Sequence, residues 1–257
     1  MVPDEPENPP LSTPCERSKG GILHGPHKTL QKSVYLRIPA LSRQKGWCTP
    51  PKTHNRRGDG HMKGTQIKVV ALNGSARKGG NTAILLRCVL KELENEGIET
   101  ELIELSGAKI HGCLACRECS KKKDGRCAQK NDMGNALIDK MAEADGILLG
   151  SPTYVADISP EIKALMDRAC LVSKANGGLF RRKVGAAVVA VRRAGAIHAF
   201  DALNHFFLIS EMIIPGSSYW NIGIGREIGD VERDEEGMQT MKTLGQNMAW
   251  LLKKING

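Results

Sequence analysis

The sequence predicts a single α/β domain with a five-stranded parallel sheet covered by helices on both faces. Three observations lead to this prediction. Apolar runs alternate with segments of helical period after Met62, the runs show no polar alternation, and no run approaches the roughly 18 residues of a membrane span. Strands that alternate with helices form parallel βαβ units. We therefore expect five strands and five helices in one domain from about Met62 to Gly257.

The first three elements are expected to form a βαβ unit. Lys68–Leu72 is a short apolar run rich in β-branched residues. Ala83–Glu96 carries an apolar stripe, with Gly97 at the position of a C-terminal cap. Ile98–Leu105 returns as a second strand, which a right-handed crossover would place parallel to the first.

The same alternation continues through the middle of the chain. Asp132–Ala144 is amphipathic and precedes the apolar strand Gly146–Leu149. Pro160–Val172 predicts a third helix, because proline suits the first turn of a helix. Val184–Val191 predicts a fourth strand, since its residues are nearly all small and apolar.

Three further segments complete the alternation. Ala199–Ile209 predicts a fourth helix, and the short apolar run Met212–Pro215 predicts the fifth strand. Asp234–Ile255 predicts a closing helix, because its methionines and leucines recur at helical spacing.

Residues 1–61 are expected to be a basic, proline-rich and mostly disordered extension. They hold 9 of the 12 prolines, and their 10 Lys and Arg against 5 Asp and Glu give +5 of the whole-chain +9. Such a segment buries too little apolar surface to offset its conformational entropy. Its acidic start does not fit a secretory or transit peptide, and translation from Met62 is an alternative.

The charge and the hydropathy of the remaining chain argue against two classes of partner. Without the extension the net charge is +9 minus +5, or +4, and the basic residues do not gather with aromatic ones into a nucleic-acid-binding face. We therefore expect a cytoplasmic protein without nucleic-acid or membrane partners.

The loop after the first strand is a candidate phosphate site. It reads NGSARKGGNT, so that main-chain N–H groups and the positive end of a helix dipole can face one point. Ser75, Asn81 and Thr82 add donors, and Arg77 and Lys78 add charge. The spacing matches neither a P-loop nor G-x-G-x-x-G, and an ordinary strand-to-helix turn is the alternative.

Two further loops follow strand ends, where ligands bind in open α/β sheets. Ser151–Tyr154 offers a hydroxyl, a rigid proline, an aromatic ring and main-chain amides on which a flat heterocycle could lie. A loop with a packed tyrosine is the alternative. Arg192, Arg193 and Gly195, in the loop after the fourth strand, either close over a ligand or are solvated.

Four of the eight cysteines fall within 15 residues, and their spacing suggests a metal centre. Cys113, Cys116, Cys119 and Cys127 form Cys-x2-Cys-x2-Cys-x7-Cys. Three thiols at intervals of three with a fourth beyond a loop are typical of four-iron clusters, whereas zinc sites more often use two separated pairs. Zinc, free thiols and a redox disulfide such as Cys113–Cys116 remain alternatives. Lys121–Lys123 within the gap either attract an acidic electron partner or form a solvated turn.

Together these motifs resemble a known family. ALNGSARKGGNTAILL, SPTYVADISPEIKALMDR and the cysteine cluster between them are similar to the flavodoxin-like NAD(P)H-dependent FMN reductases, in particular to the iron-sulfur flavoproteins. The resemblance covers roughly residues 67–255. It implies a flavodoxin-like sheet of order 2-1-3-4-5, non-covalently held FMN, and a homodimer or homotetramer with flavin sites at subunit contacts.

The resemblance also assigns residues. Ser75, Arg77, Asn81 and Thr82 would hold the phosphate of FMN. The ribityl chain and isoalloxazine ring would be flanked by Pro152, Thr153, Tyr154 and Val155. A [4Fe-4S] cluster would be bound by Cys113, Cys116, Cys119 and Cys127.

The expected function is an FMN-dependent oxidoreductase that takes hydride from NAD(P)H and passes electrons to an acceptor through a [4Fe-4S] cluster. The cofactor supplies the chemistry, and no side chain need act as acid or base. An electron carrier that ferredoxin reduces, without NAD(P)H turnover, is the first alternative. A cofactor-free interaction module with zinc is the second.

Overall fold

The computed structural model describes residues 66–257. The proposed extension over residues 1–61 and the alternative start at Met62 lie outside the described residues. The five strands are β1 (Lys68–Asn73), β2 (Glu99–Glu104), β3 (Gly146–Pro152), β4 (Val184–Val191) and β5 (Ile222–Ile224). The helices are α1 (Asn81–Asn95), α2 (Glu118–Lys122), α3 (Gly134–Glu143), α4 (Pro160–Ala175), α5 (Ala196–Ile209) and α6 (Glu235–Asn256), with a 3₁₀ turn at Asp230–Arg233.

The strands form one sheet in the order β2-β1-β3-β4-β5, and all four pairings are parallel. The predicted order 2-1-3-4-5 is therefore confirmed. The strand order switches direction at β1, since β2 lies on one side of β1 and β3 on the other. Ligands in such sheets bind beyond the carboxyl ends of the strands at this switch in order.

Each face of the sheet carries its own apolar core. Alternate residues of β1 separate to the two faces: Val70 and Leu72 pack with α3, α4 and α5, whereas Val69 and Ala71 pack with α1 and α6. This separation follows from the two-residue period of a strand. β4 contributes residues to both cores, and all eight of its residues are buried. The central strands therefore hold their carboxyl ends rigidly at one edge.

The predicted fifth strand, Met212–Pro215, is wrong. Ile213 forms only an isolated bridge with Val184 at the start of β4, and the strand beside the end of β4 is Ile222–Ile224. Pro215 ends the earlier run because it has no N–H to donate to a ladder. The short sequence Ile-Gly-Ile gave little periodic signal for the true strand.

Two other features differ from the sequence-based expectation. β2 is partly exposed rather than apolar on both faces, and its charged side chains suit an edge strand. The short helix α2 lies inside the cysteine segment and was not predicted. Among the described residues no helix is long and apolar enough to cross a bilayer.

Candidate functional site

A cavity of about 360 Å³ lies at the carboxyl edge of the sheet, between the loops that follow β1, β3, β4 and β5. It brings together seven of the eight residues that the resemblance assigns to FMN. They are Ser75, Arg77, Asn81, Thr82, Pro152, Thr153 and Tyr154. The eighth, Val155, is fully exposed and does not line the cavity. One cavity thus joins the two loops that the sequence singled out.

The loop after β1 is held by hydrogen bonds from its main-chain N–H groups to β3 and to two of its neighbouring side chains. The Gly74 N–H donates to the Gly150 carbonyl at 2.8 Å, and the Ser75 N–H donates to Asn73 Oδ1 at 3.0 Å. The Ser75 hydroxyl accepts from the Arg77 N–H at 3.1 Å. A Cβ on Gly74 would lie 2.2 Å from Ile162 Cγ1, so that only glycine allows α4 to approach this closely. These hydrogen bonds and the close packing at Gly74 therefore fix the conformation of the loop without a ligand.

The N-terminus of α1 faces the cavity without a side-chain cap. Gly80 occupies the capping position and has no side chain that could accept a hydrogen bond from the first N–H groups of the helix. In contrast, α4 and α6 are capped by Ser159 and Asp234. The first turn of α1 contains no acidic residue. The N–H groups of Asn81 and Thr82 therefore add to the positive end of the helix dipole, which favours an anion.

Arg77 and Asn81 also tie the loop after β5 to the loop after β1. Arg77 Nη1 donates to the Arg226 carbonyl at 3.0 Å. Asn81 Nδ2 donates to the Glu227 carbonyl at 2.8 Å, and Asn81 Oδ1 accepts from the Gly229 N–H at 2.9 Å. These bonds leave the Asn81 main-chain N–H for a ligand while its amide closes the cavity wall.

The loop after β3 presents Tyr154 from a tight turn. The N–H groups of Tyr154 and Asp157 donate to each other's carbonyls at 2.8 and 3.0 Å. Val155 and Ala156, between them, have φ values of +50° and +60°. Such a turn suits Asn and Gly, and for a β-branched residue it is strained. Tyr154 itself is 41% exposed, so that part of the residue is open to a ligand or to solvent.

Sequence reasoning missed Gly225 and Arg226, which also line the cavity. They follow β5, and the misplaced fifth strand hid them. Of the predicted third loop, Arg192 lines this cavity, whereas Arg193 and Gly195 line a neighbouring cavity of about 290 Å³. Correct placement of the Ile-Gly-Ile strand would have found the missing loop, since ligands in such sheets bind beyond the carboxyl ends of the strands.

The four clustered cysteines line a separate cavity of about 260 Å³. Cys113, Cys116, Cys119 and Cys127 are joined there by Arg168 and by apolar side chains of α4. The Ala115 N–H donates to Cys113 Sγ at 3.4 Å. Ala115 and Arg117 take left-handed conformations, with φ values of +51° and +58°, which wrap the chain tightly between the first three thiols.

The four thiols do not form a ready site for a single metal ion. Within residues 66–257 no group of three or more Cys, His, Asp and Glu side chains converges closely enough to hold a single metal ion. All six cysteines in that range are free thiols. Burial raises the pKa of the Cys88 and Cys170 thiols, which lie outside the cavity and behave as small core residues.

Residues 67–227 match the model of the NADPH-dependent FMN reductase family. An iron-sulfur flavoprotein of Methanocaldococcus jannaschii is 38% identical over 196 residues, covering 74% of this chain and 99% of the relative. An iron-sulfur flavoprotein of Methanosarcina thermophila is 30% identical over 191 residues, covering 74% of this chain and 97% of the relative.

Solved structures support the same fold. RosB, whose structure contains bound 8-demethyl-8-formylriboflavin-5'-phosphate, superposes with a TM-score of 0.58 at 18% identity, over 74% of this chain and 80% of RosB. A flavodoxin, the WrbA-like protein from Agrobacterium tumefaciens, gives a TM-score of 0.50 at 14% identity, over 74% and 99%. These likenesses concern the fold, whereas the family rests on the sequence matches. The chain therefore belongs to the NADPH-dependent FMN reductase family, in its iron-sulfur flavoprotein branch.

Proposed function

We propose that this protein is an FMN-dependent oxidoreductase that takes hydride from NAD(P)H and passes electrons to an acceptor through a [4Fe-4S] cluster. The observation that carries the proposal is the cavity at the carboxyl edge of the sheet, where the anion-favouring loop and the Tyr154 loop line one volume of about 360 Å³. A mononucleotide has a phosphate at one end and a flat ring at the other, and the cavity offers a wall for each.

The residues present fit FMN. The buried Ser75 hydroxyl, the uncapped first turn of α1 and the Arg77 guanidinium would hold the phosphate. The main chain of Pro152 and Thr153 would flank the ring, with Tyr154 beside it. Val155 contributes only through the turn that orients Tyr154.

The cysteine spacing fits a four-iron cluster better than a zinc ion. Zinc sites more often use two separated Cys-x2-Cys pairs, whereas these four cysteines follow one another as Cys-x2-Cys-x2-Cys-x7-Cys and line one cavity. A cuboidal cluster takes one thiolate at each corner and fills a volume. Cys113, Cys116, Cys119 and Cys127 would be the ligands.

The protein would supply binding and orientation. When bound, FMN would accept hydride and the cluster would carry single electrons. The loops after β1 and β3 fix the phosphate and ring ends, and the Arg77 and Asn81 bonds to the loop after β5 keep that wall closed. The free thiols suit a cytoplasmic location, where thiols remain reduced.

Purification without oxygen, followed by flavin, iron and sulfide analysis and by mixing with NADH or NADPH, tests the proposal. We expect a yellow-brown protein with about one FMN and four irons per chain, and we expect the nucleotide to bleach the flavin band. Bound flavin that bleaches only with reduced ferredoxin would favour the electron carrier. A colourless protein would contradict both functions, and zinc in it would favour the interaction module.

The acceptor and the assembly stay predictions. Ferredoxin or another electron carrier is the expected class of partner, and a homodimer or homotetramer is the expected assembly. Light scattering on the purified holoprotein measures the assembly directly.

A further inference from the structure

A buried ion pair lies where the chain enters and leaves the segment that carries the four cysteines. Hydrogen bonds from Gln129 to the Gly112 carbonyl, and between Asn135 and the main chain of Cys127 and Gln129, help to close the segment there. Arg168, on α4, is 1% exposed, and both Arg168 and Asp132 have fully buried side chains. Arg168 Nη1 donates to Asp132 Oδ2. Among residues 66–257, Arg168 is the only lysine, arginine, aspartate or glutamate that is buried as a whole residue. An arginine at such a position needs a structural or functional reason, because burying a charge costs free energy unless it is well paired.

The hydrogen bonds of Arg168 reach both ends of the cysteine segment. Nη1 donates to the carbonyl of His111, two residues before Cys113, at 3.3 Å. Nη2 donates to the carbonyl of Gln129, two residues after Cys127, at 3.2 Å. The guanidinium therefore links the main chain before the cysteine segment to the main chain after it. Both are held to α4, which carries Arg168.

Asp132 strengthens the same closure. Its Oδ2 accepts from the His111 N–H at 2.8 Å, and its Oδ1 accepts from the Gly134 N–H at 3.0 Å. Burial by itself raises the pKa of Asp132, but the hydrogen bonds from Arg168, His111 and Gly134 outweigh it and lower the pKa. Asp132 is therefore a carboxylate, and the pair is ionic.

Gly134 shows how closely the chain is built around the guanidinium. A Cβ at this position would lie 2.5 Å from Arg168 Cζ and Nη1. Gly134 begins α3, so that the start of this helix packs directly against the ion pair. No substitution is accommodated there without moving Arg168.

The guanidinium also borders the cysteine cavity. Arg168 lines it together with the four thiols, and its Nε is buried with no hydrogen-bond partner. Burial lowers the pKa of Arg168, but the Asp132 hydrogen bond and the nearby Cys127 sulfur outweigh it and raise the pKa. One positive charge with an unused N–H thus lies against the place where thiolates would gather.

We propose that Arg168 and Asp132 are the positioning pair of the cysteine centre. They close the cysteine segment by holding its two ends, at His111 and Gln129, together, and they place a positive charge beside its sulfurs. The effect of the positive charge rests on the iron-sulfur centre of the proposed function, whereas the closure of the segment by hydrogen bonds does not. A positive charge favours the more negative, reduced form of a thiolate-bound centre. Removing Arg168 should therefore lower its midpoint potential, and neutralising Asp132 should raise it.

The closure is tested by amide hydrogen exchange on the full chain with and without iron. In Arg168→Met we expect amides of residues 112–128 to exchange at least tenfold faster than in the wild type, while the exchange of residues 74–83 does not change.

Arg126→Met is the matched control. Arg126 adjoins Cys127 but pairs with Asp139 at an exposed site, so that the exchange rates of residues 112–128 should not change. Arg168→Lys keeps the charge and part of the hydrogen bonding, so that its amides should exchange at an intermediate rate. This variant still tests the closure if Arg168→Met does not fold. Equal exchange in the wild type and both Arg168 variants would overturn the proposal.

The charge is tested by redox titration of the iron centre, followed by its paramagnetic signal. We expect the one-electron equilibrium constant to fall at least tenfold in Arg168→Met and to rise at least tenfold in Asp132→Asn, which is 59 mV in each direction. Arg168→Lys and the double variant should lie near the wild type. A merely structural pair would shift both single variants in the same direction or not at all, and that result overturns the proposal. A wild-type protein without iron and sulfide contradicts the proposed function instead, and the exchange experiment then decides the inference alone.

Discussion

The two cavities are built in opposite ways. The cavity at the sheet edge takes two to four residues from each of four strand ends and the loops that follow them, and regular strands hold those loops in place. The cysteine cavity takes its four thiols from one segment of fifteen residues, and Arg168 helps to anchor the ends of that segment to α4. A distributed site inherits its rigidity from the fold, whereas a local site needs an added buried interaction. The two sites should therefore respond differently to substitution.

The largest effect is expected from a change that breaks only the local site. Cys116 is exposed, so that its replacement by serine should leave the fold intact. We expect Cys116→Ser to lose at least nine-tenths of the iron and sulfide, because a cluster corner loses its thiolate, while FMN content stays unchanged. Metal and flavin analysis of protein purified without oxygen measures both. Loss of FMN together with iron would show that the two sites are not independent.

The buried anchor of the cysteine segment should be the next most sensitive position. Asp132→Asn leaves the Arg168 charge unpaired, and breaking a buried pair costs about 3–5 kcal/mol. Urea unfolding of the wild type and the variant measures the free energy of unfolding.

The same pair gives a pH dependence with a definite sign. Hydrogen bonds hold the pKa of folded Asp132 below the unfolded value of about 3.9. The stabilisation is therefore fully present above about pH 4 and is lost as the pH falls through the folded pKa. The stability difference between the wild type and Asp132→Asn should shrink below about pH 4, and a difference that grows with acidification would contradict the ionic pair.

A smaller effect is expected at the distributed site, because several loops share the binding. Thr82 is buried in the first turn of α1 and lines the cavity. Thr82→Val should raise the dissociation constant of FMN about tenfold, which is about 1.4 kcal/mol for one lost hydrogen bond to a charged phosphate. Titration of flavin-free protein with FMN, followed by fluorescence, measures it. Thr243→Val, on α6 away from both cavities, should bind FMN like the wild type.

The smallest effect should come from relieving strain in the turn after Tyr154. Val155 and Ala156 both have positive φ, and Asn and Gly accept this geometry more readily. Replacing them together by Asn and Gly should stabilise the protein by about 1 kcal/mol and raise the thermal midpoint by about 2–4 °C. FMN affinity should stay within about twofold, since Val155 lies outside the cavity. A larger loss of affinity would show that the Val155 side chain contacts the flavin, as the resemblance predicts.

The contrast between the sites also explains where sequence-based prediction succeeded. The parallel sheet followed from periodicity and the order of its strands from the family resemblance. β4 was predicted with its observed bounds, because eight small apolar residues in a row indicate a buried strand. The fifth strand was misplaced because Ile222–Ile224 is only three residues long and pairs through tertiary context. Gly225 and Arg226 were missed for the same reason.

The sequence by itself determined the class of fold, the family and the identity of the four thiols, because periodicity, loop motifs and cysteine spacing are local properties of the chain. Only the tertiary structure decided that Asn81 ties two loops together through its amide and that Arg168 closes the cysteine segment. Both depend on contacts between residues far apart in the sequence, such as the 57 positions between His111 and Arg168. No local pattern distinguishes an arginine that is buried against a carboxylate from one that is solvated on a helix.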